Sequence, residues 1–173
     1  MKTKISIIFS LILVIQLFFI CPILSSDVPR SFFVNTTNGE PHSIIVVGKN
    51  AATMDSISGG LIISKIQAEA YYEDPSKGLF RVNIWDPQKL ITYDEALMES
   101  VAQNNNLILI GGPVANRHVA NLVKNGKSKF DWYNSPGEIE YIHDGLYPGR
   151  DVIIVAGADR EKTREAVLKL ISS

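Results

Sequence analysis

Leu107-Ile108-Leu109-Ile110-Gly111-Gly112-Pro113 is the stretch that decides the fold. Four apolar residues without a polar alternate suit a strand covered on both faces, as in a parallel sheet. Glycine then permits a tight turn, and proline is at home in the first turn of the helix that follows. Two other segments repeat the pattern. Ser43-Ile44-Ile45-Val46-Val47 stops at Gly48, and Asp151-Val152-Ile153-Ile154-Val155-Ala156 stops at Gly157-Ala158-Asp159.

Each of these strands feeds a predicted helix. Ile57, Leu61, Ile62, Ile66 and Ala70 recur at helical spacing and predict a helix over 54–72, capped by Asn50 or Thr53. Gly59 and Gly60 inside it let the helix lie close to the sheet. The second helix spans 114–124. The third spans 160–171 and is capped by Asp159. Between the first two units, 81–85 alternates like a strand near an edge. Thr92 with Glu95 forms a capping box that predicts a helix to Gln103. Residues 130–147 are aromatic and turn-rich, and predict a hairpin or long excursion. The expected fold is a small Rossmann-like α/β three-layer sandwich: a mainly parallel sheet, right-handed crossovers, helices on both faces and an aromatic hairpin excursion.

The N-terminus sets the compartment. Lys2 and Lys4 precede an apolar run to Leu24, and Ser25-Ser26 provide small residues before polar sequence begins at Asp27. Residues 1–26 read as a signal peptide, with a retained N-terminal anchor as the alternative because the run is nearly long enough to span a bilayer. Residues 27–41 read as a polar tether or edge strand carrying the sequon Asn35-Thr36-Thr37, a possible glycosylation site. Residues 42–173 form one α/β domain. Apolar residues make up 46% of the chain and charged ones 20%, enough for a core and against disorder. Net charge is −1, which gives no reason to expect a nucleic-acid partner. The one cysteine, Cys21, falls inside the leader, so a cleaved product has neither disulfide nor cysteine–metal chemistry.

In a parallel sheet, ligands sit where loops leave the strand carboxyl ends. That geometry singles out Asn50, Asp55, Gly112, Asn116, Asp159 and Arg160 as candidate ligand-binding residues. The competing reading gives each a backbone role: glycine for the turn, Asp159 as a cap worth about 1 kcal/mol. No serine stands between spaced glycines as a nucleophile elbow requires, and no phosphate-loop pattern is present. His42, His118 and His143 are scattered, with His118 expected at the surface. Asp55, Asp86 and Asp159 are three acids near strand ends, too common an arrangement to define a metal site. No catalytic residue, metal or cofactor is expected. Trp132, Tyr133 and Tyr141 are candidates for a contact surface, or for rings that simply cover one end of the sheet.

The strand–turn blocks resemble archaeal S-layer proteins. Val46-Val47-Gly48-Lys49-Asn50-Ala51-Ala52-Thr53-Met54-Asp55, followed by Ser58, is similar to their first block. Gly111-Gly112-Pro113-Val114-Ala115-Asn116 is similar to their "GGPVAN" turn, and Val155-Ala156-Gly157-Ala158-Asp159-Arg160 with Thr163-Arg164 to their closing "VAGxDRxxTR" block. A weaker similarity is to the bacterial type 2 cell-wall-binding repeat. The resemblance implies an extracellular or cell-envelope location and a non-catalytic structural or adhesive role, touching other surface proteins, an S-layer lattice or cell-surface glycan. A membrane contact is expected only if the leader is retained. S-layer proteins of this kind are much longer, and wall-binding repeats come in tandem. The alternative expectation is an extracytoplasmic small-ligand-binding protein or hydrolase using the strand-end crevice.

Overall fold

The structure, a computed structural model, describes residues 28–51 and 53–173; the leader expected over 1–26 lies outside them. The elements are α1 (Arg30–Phe33), β1 (Ser43–Val47), α2 (Thr53–Glu69), β2 (Tyr71–Asp74), β3 (Gly78–Arg81), a 3-10 turn (Pro87–Leu90), β4 (Ile91–Tyr93), α3 (Glu99–Asn104), β5 (Asn106–Ile110), α4 (Arg117–Lys124), β6 (Glu138–Tyr147), β7 (Arg150–Ala156) and α5 (Arg160–Ser172). Five strands form one sheet in the order β4-β1-β5-β7-β6, parallel except for β6. Strands β2 and β3 pair separately as an antiparallel hairpin.

The glycine-ended runs are the interior of this sheet. Every residue of β1 and of β5 is buried, so both faces of the sheet are covered there. Ile45 pairs with Ile108, and Ile108 in turn with Ile153, which lays a β-branched row across three strands. From α2 come Ile62 and Ile66, from α4 Val119 and Leu122, and from α5 Ala166, Val167 and Leu170, all buried in the same core. Asp159 caps α5 as expected, accepting the Lys162 N–H at 2.8 Å.

Four expectations change. Only Arg81 of the 81–85 segment lies in a strand, β3, and Trp85 is 89% exposed. The backbone beyond it bonds instead to one side chain on α2: Gln67 donates to the Val82 carbonyl at 2.8 Å and accepts the Ile84 N–H at 3.0 Å. Thr92 is not a helix cap; it sits in β4, where pairing with Val46 of β1 wins over the local capping motif, and α3 begins only at Glu99. Residues 138–147 are the antiparallel edge strand β6, joined to β7 through Pro148-Gly149, with Tyr147 opposite Arg150. Register slips between Ile142 and Tyr147, where Asp144 takes φ 49°. Residues 30–33 form a helical turn rather than a strand, and Phe32 and Phe33 are buried beneath it; one bridge joins Val34 to Pro41.

The paired glycines of α2 divide. A Cβ on Gly59 would stand 2.4 Å from Ile91 Cδ1, whereas one on Gly60 would meet nothing within 4 Å. Of the two glycines, only Gly59 lies against the sheet. Tighter still is Gly48, where a Cβ would fall 1.9 Å from the Ala115 carbonyl oxygen, a backbone atom that cannot swing away. Gly48→Ala should therefore destabilise the fold by at least about 2 kcal/mol. Gly60→Ala, in an open helix position, should stabilise it by about 0.5–1 kcal/mol. Urea unfolding of the two variants reads both values; equal effects would refute the assigned contacts.

Candidate functional site

The loops leaving β1, β5 and β7 do converge. With residues 132–133 they enclose an open pocket of about 210 Å³ at the carboxyl end of the sheet. Of the predicted ligand residues, Asn50, Asp55, Gly112, Asp159 and Arg160 line it. Asn116 does not. Its side chain is wholly buried and donates to the carbonyls of Val46 at 3.0 Å and Ile110 at 3.2 Å, near the carboxyl ends of β1 and β5. Its Oδ1 accepts the His118 N–H at 3.0 Å, which makes it the N-cap of α4. One amide thus joins two strand ends to a helix start. Asp86 is also elsewhere, exposed before the 3-10 turn and paired with Lys89 at 3.2 Å.

The residue that sequence reasoning missed is Asp94. It is 4% exposed and follows β4 directly. Its two carboxylate oxygens accept backbone N–H groups from different loops, Lys49 at 2.8 Å after β1 and Arg117 at 2.9 Å at the start of α4. Its own carbonyl lies 3.1 Å from His118 Nε2, so His118 is half-buried over this junction and not a surface residue. Burial by itself would raise the Asp94 pKa. The N–H groups of Arg117, Lys49 and Glu95 and the Arg117 charge outweigh it and hold the carboxyl below the ordinary range. For His118 burial dominates, and its pKa falls below 6.5. The only local sequence signal for Asp94 is an acid just after a short strand, since both partners are distant along the chain.

The aromatic candidates separate. Trp132 is buried against Phe130, its Nε1–H donating to Ser128 Oγ at 2.8 Å; Ser128 donates in turn to buried Glu140 at 2.6 Å. Tyr133 beside it is 66% exposed at the pocket rim. Tyr141 stands near the other end of the sheet, in contact with Phe32 and donating to Asp151 at 2.5 Å. Burial first, then the Asp151 carboxylate, raises its pKa far above the usual phenol value. Asn35 is exposed, its Oδ1 accepting the Thr37 N–H at 2.9 Å, on the segment that caps the strand starts. Among the described residues no group of three or more His, Cys, Asp or Glu is placed to hold a metal ion, and no helix is long and apolar enough to cross a membrane.

Residues 88–173 match the model of the S-layer like family, outer domain. This chain carries an S-layer outer domain. The S-layer protein of Methanocaldococcus jannaschii is 54% identical over 70 residues, 40% of this chain; that of Methanothermococcus thermolithotrophicus is 46% identical over 68 residues, and that of Methanococcus voltae 43% over 70. The match spans only 12% of the length of each of these relatives. S-layer relatives are cell-surface or extracellular proteins, and that is the location of this chain. Within the outer domain fall Asp94, Asn116, Asp159 and Arg160, while Asn50 and Asp55 precede it.

Removing the Asn116 amide leaves two buried carbonyls without their donor and α4 without its cap. Asn116→Ala should cost about 3 kcal/mol in denaturant unfolding, and a loss under about 1 kcal/mol would contradict the bridging role. The titrating groups add a pH dependence. A depressed native pKa means stability is complete above the unfolded value and is lost as pH falls through the native one. For His118, and for His42 beside Arg150, also lowered chiefly by burial, the loss starts near about pH 6.5. For Asp94 it starts near about pH 4. Urea midpoints should therefore decline in two stages on acidification, with Asp94→Asn flattening the second alone; a midpoint constant down to about pH 4 would contradict the first stage.

Proposed function

We propose that this chain is an exported, non-catalytic module of the cell envelope that contacts other surface proteins or cell-surface glycan. The observation that carries the reading is the outer-domain match over residues 88–173, supported by an S-layer protein that is 54% identical over 70 residues. The geometry agrees with it. Two buried polar side chains near the strand ends, Asn116 and Asp94, are bonded to main chain from β1, β5, α4 and their loops, so their chemistry is used in holding the framework. A fixed framework suits a module whose work is to present a surface. Its exposed apolar side chains include Tyr93, the last residue of β4, and Val114 and Tyr133 at the strand-end pocket. Apolar groups left exposed at a strand end suit contact with another molecule.

Native pull-down from isolated envelopes tests the proposal. The chain should sediment with the envelope and co-purify with a lattice protein or a surface polymer. Recovery only as a free soluble monomer would remove the reading.

A further inference from the structure

We propose that the strand-end pocket is a subsite for one neutral sugar ring of a cell-surface glycan. The assignment rests on the reading of the chain as a surface module and names where, and for what chemistry, that module would hold glycan. The pocket, at about 210 Å³, is below the size of a nucleotide or drug-sized site and on the scale of a single pyranose. A pyranose offers an apolar face of C–H groups and a girdle of hydroxyls that both donate and accept. Tyr133 meets the first requirement with a rigid aromatic side chain two-thirds exposed at the rim. The segment beneath that side chain is set in advance, because Trp132 is anchored through Ser128 to Glu140.

The hydroxyl girdle meets groups of mixed character from two different loops. Asn50, after β1, both donates and accepts; Asp159, after β7, accepts and Arg160 donates. Gly112 lines the pocket without a side chain, and a Cβ there would meet nothing closer than Trp132 Cβ at 3.8 Å, so that space stays open to a ring. The charges choose among sugars. Asp55 and Asp159 line the same pocket as Arg160, so an acidic sugar gains no net attraction there, whereas neutral hydroxyls can use both signs. The low affinity expected of so shallow a site suits a module that engages many copies of one surface polymer at once.

The test is amide NMR titration of the isotope-labelled protein, expressed from the full chain, with methyl glycosides of glucose, galactose, mannose and N-acetylglucosamine, and with glucuronic acid as the charged comparator. At least one neutral glycoside should shift the Gly112, Tyr133 and Ala158 amides saturably in the millimolar range. Tyr133→Ala should weaken that binding about tenfold while leaving the melting temperature unchanged, because its side chain is mostly exposed. No saturable shift of these amides by any neutral glycoside, tighter binding of glucuronic acid, or unaltered binding by Tyr133→Ala would each overturn the subsite. If envelope association persists while the glycosides leave the pocket untouched, the subsite alone is wrong; if envelope association is also missing, the surface-module reading goes with it.

Discussion

A single buried amide links the two strands at the centre of the sheet. Asn116 donates to the Val46 and Ile110 carbonyls at the ends of β1 and β5 and accepts from the first turn of α4, so strand ends and helix start are set by one side chain. Parallel strands whose following chains must turn away leave carbonyls at their ends with no ladder partner, and a buried carbonyl left without a donor costs free energy on the order of a lost hydrogen bond. Asp94 solves the matching problem for donors, taking the Lys49 and Arg117 N–H groups on its two oxygens. Together they draw the β1 and β5 loops so close that only glycine fits at position 48.

This junction explains which parts of the chain are readable from sequence. The runs 43–47, 107–110 and 151–156 are legible because burial on both faces writes itself as uninterrupted apolar sequence, and each is followed by the glycine its turn needs. The helices after them are legible by spacing, and Asp159 by its cap. Strand β4 is not: three residues are too short to show a period, and Thr92-x-x-Glu95 happens to spell a helix start. Strand β6 is obscured for another reason. It lies at an edge and bends at Asp144, so aromatic and turn residues interrupt the alternation.

The site was legible in outline for the same reason. Strand ends could be found, and with them Asn50, Gly112, Asp159 and Arg160. What sequence could not supply is the direction in which each side chain points. Asn116 and Asp55 both stand at helix starts after buried strands, yet Asn116 is turned into the sheet while Asp55 lines the pocket. Trp132 and Tyr133 are neighbours with opposite fates, one locked inward through Ser128 and the other left at the rim. For Asn116 the distinction depends on Val46, 70 residues away, and for Trp132 on a bond to Ser128 that continues to Glu140, a chain of contacts that no periodicity records.

The boundary of the family match and the boundary of the folding unit do not coincide. Residues 88–173 supply β4, β5, β6 and β7, but in the sheet β4 touches none of the other three. Strand β1 lies between, pairing with Ile91, Thr92 and Tyr93 on one side and with all of β5 on the other. The outer domain taken alone would have a gap between β4 and β5, lined by their unpaired backbone, and would lack core residues such as Phe32, Ile45, Ile62 and Ile66. Asn116 would lose the Val46 carbonyl, and Asp94 would lose the Lys49 N–H. The 43–47 segment is therefore as much part of the outer domain, physically, as the residues that carry its recognisable sequence. A chain can place a long stretch between those two parts without disturbing the sheet, because the loop closure involved grows only slowly in cost with length. In this chain that interval holds α2, the β2–β3 hairpin and the 3-10 turn, and the hairpin lies outside the main sheet altogether.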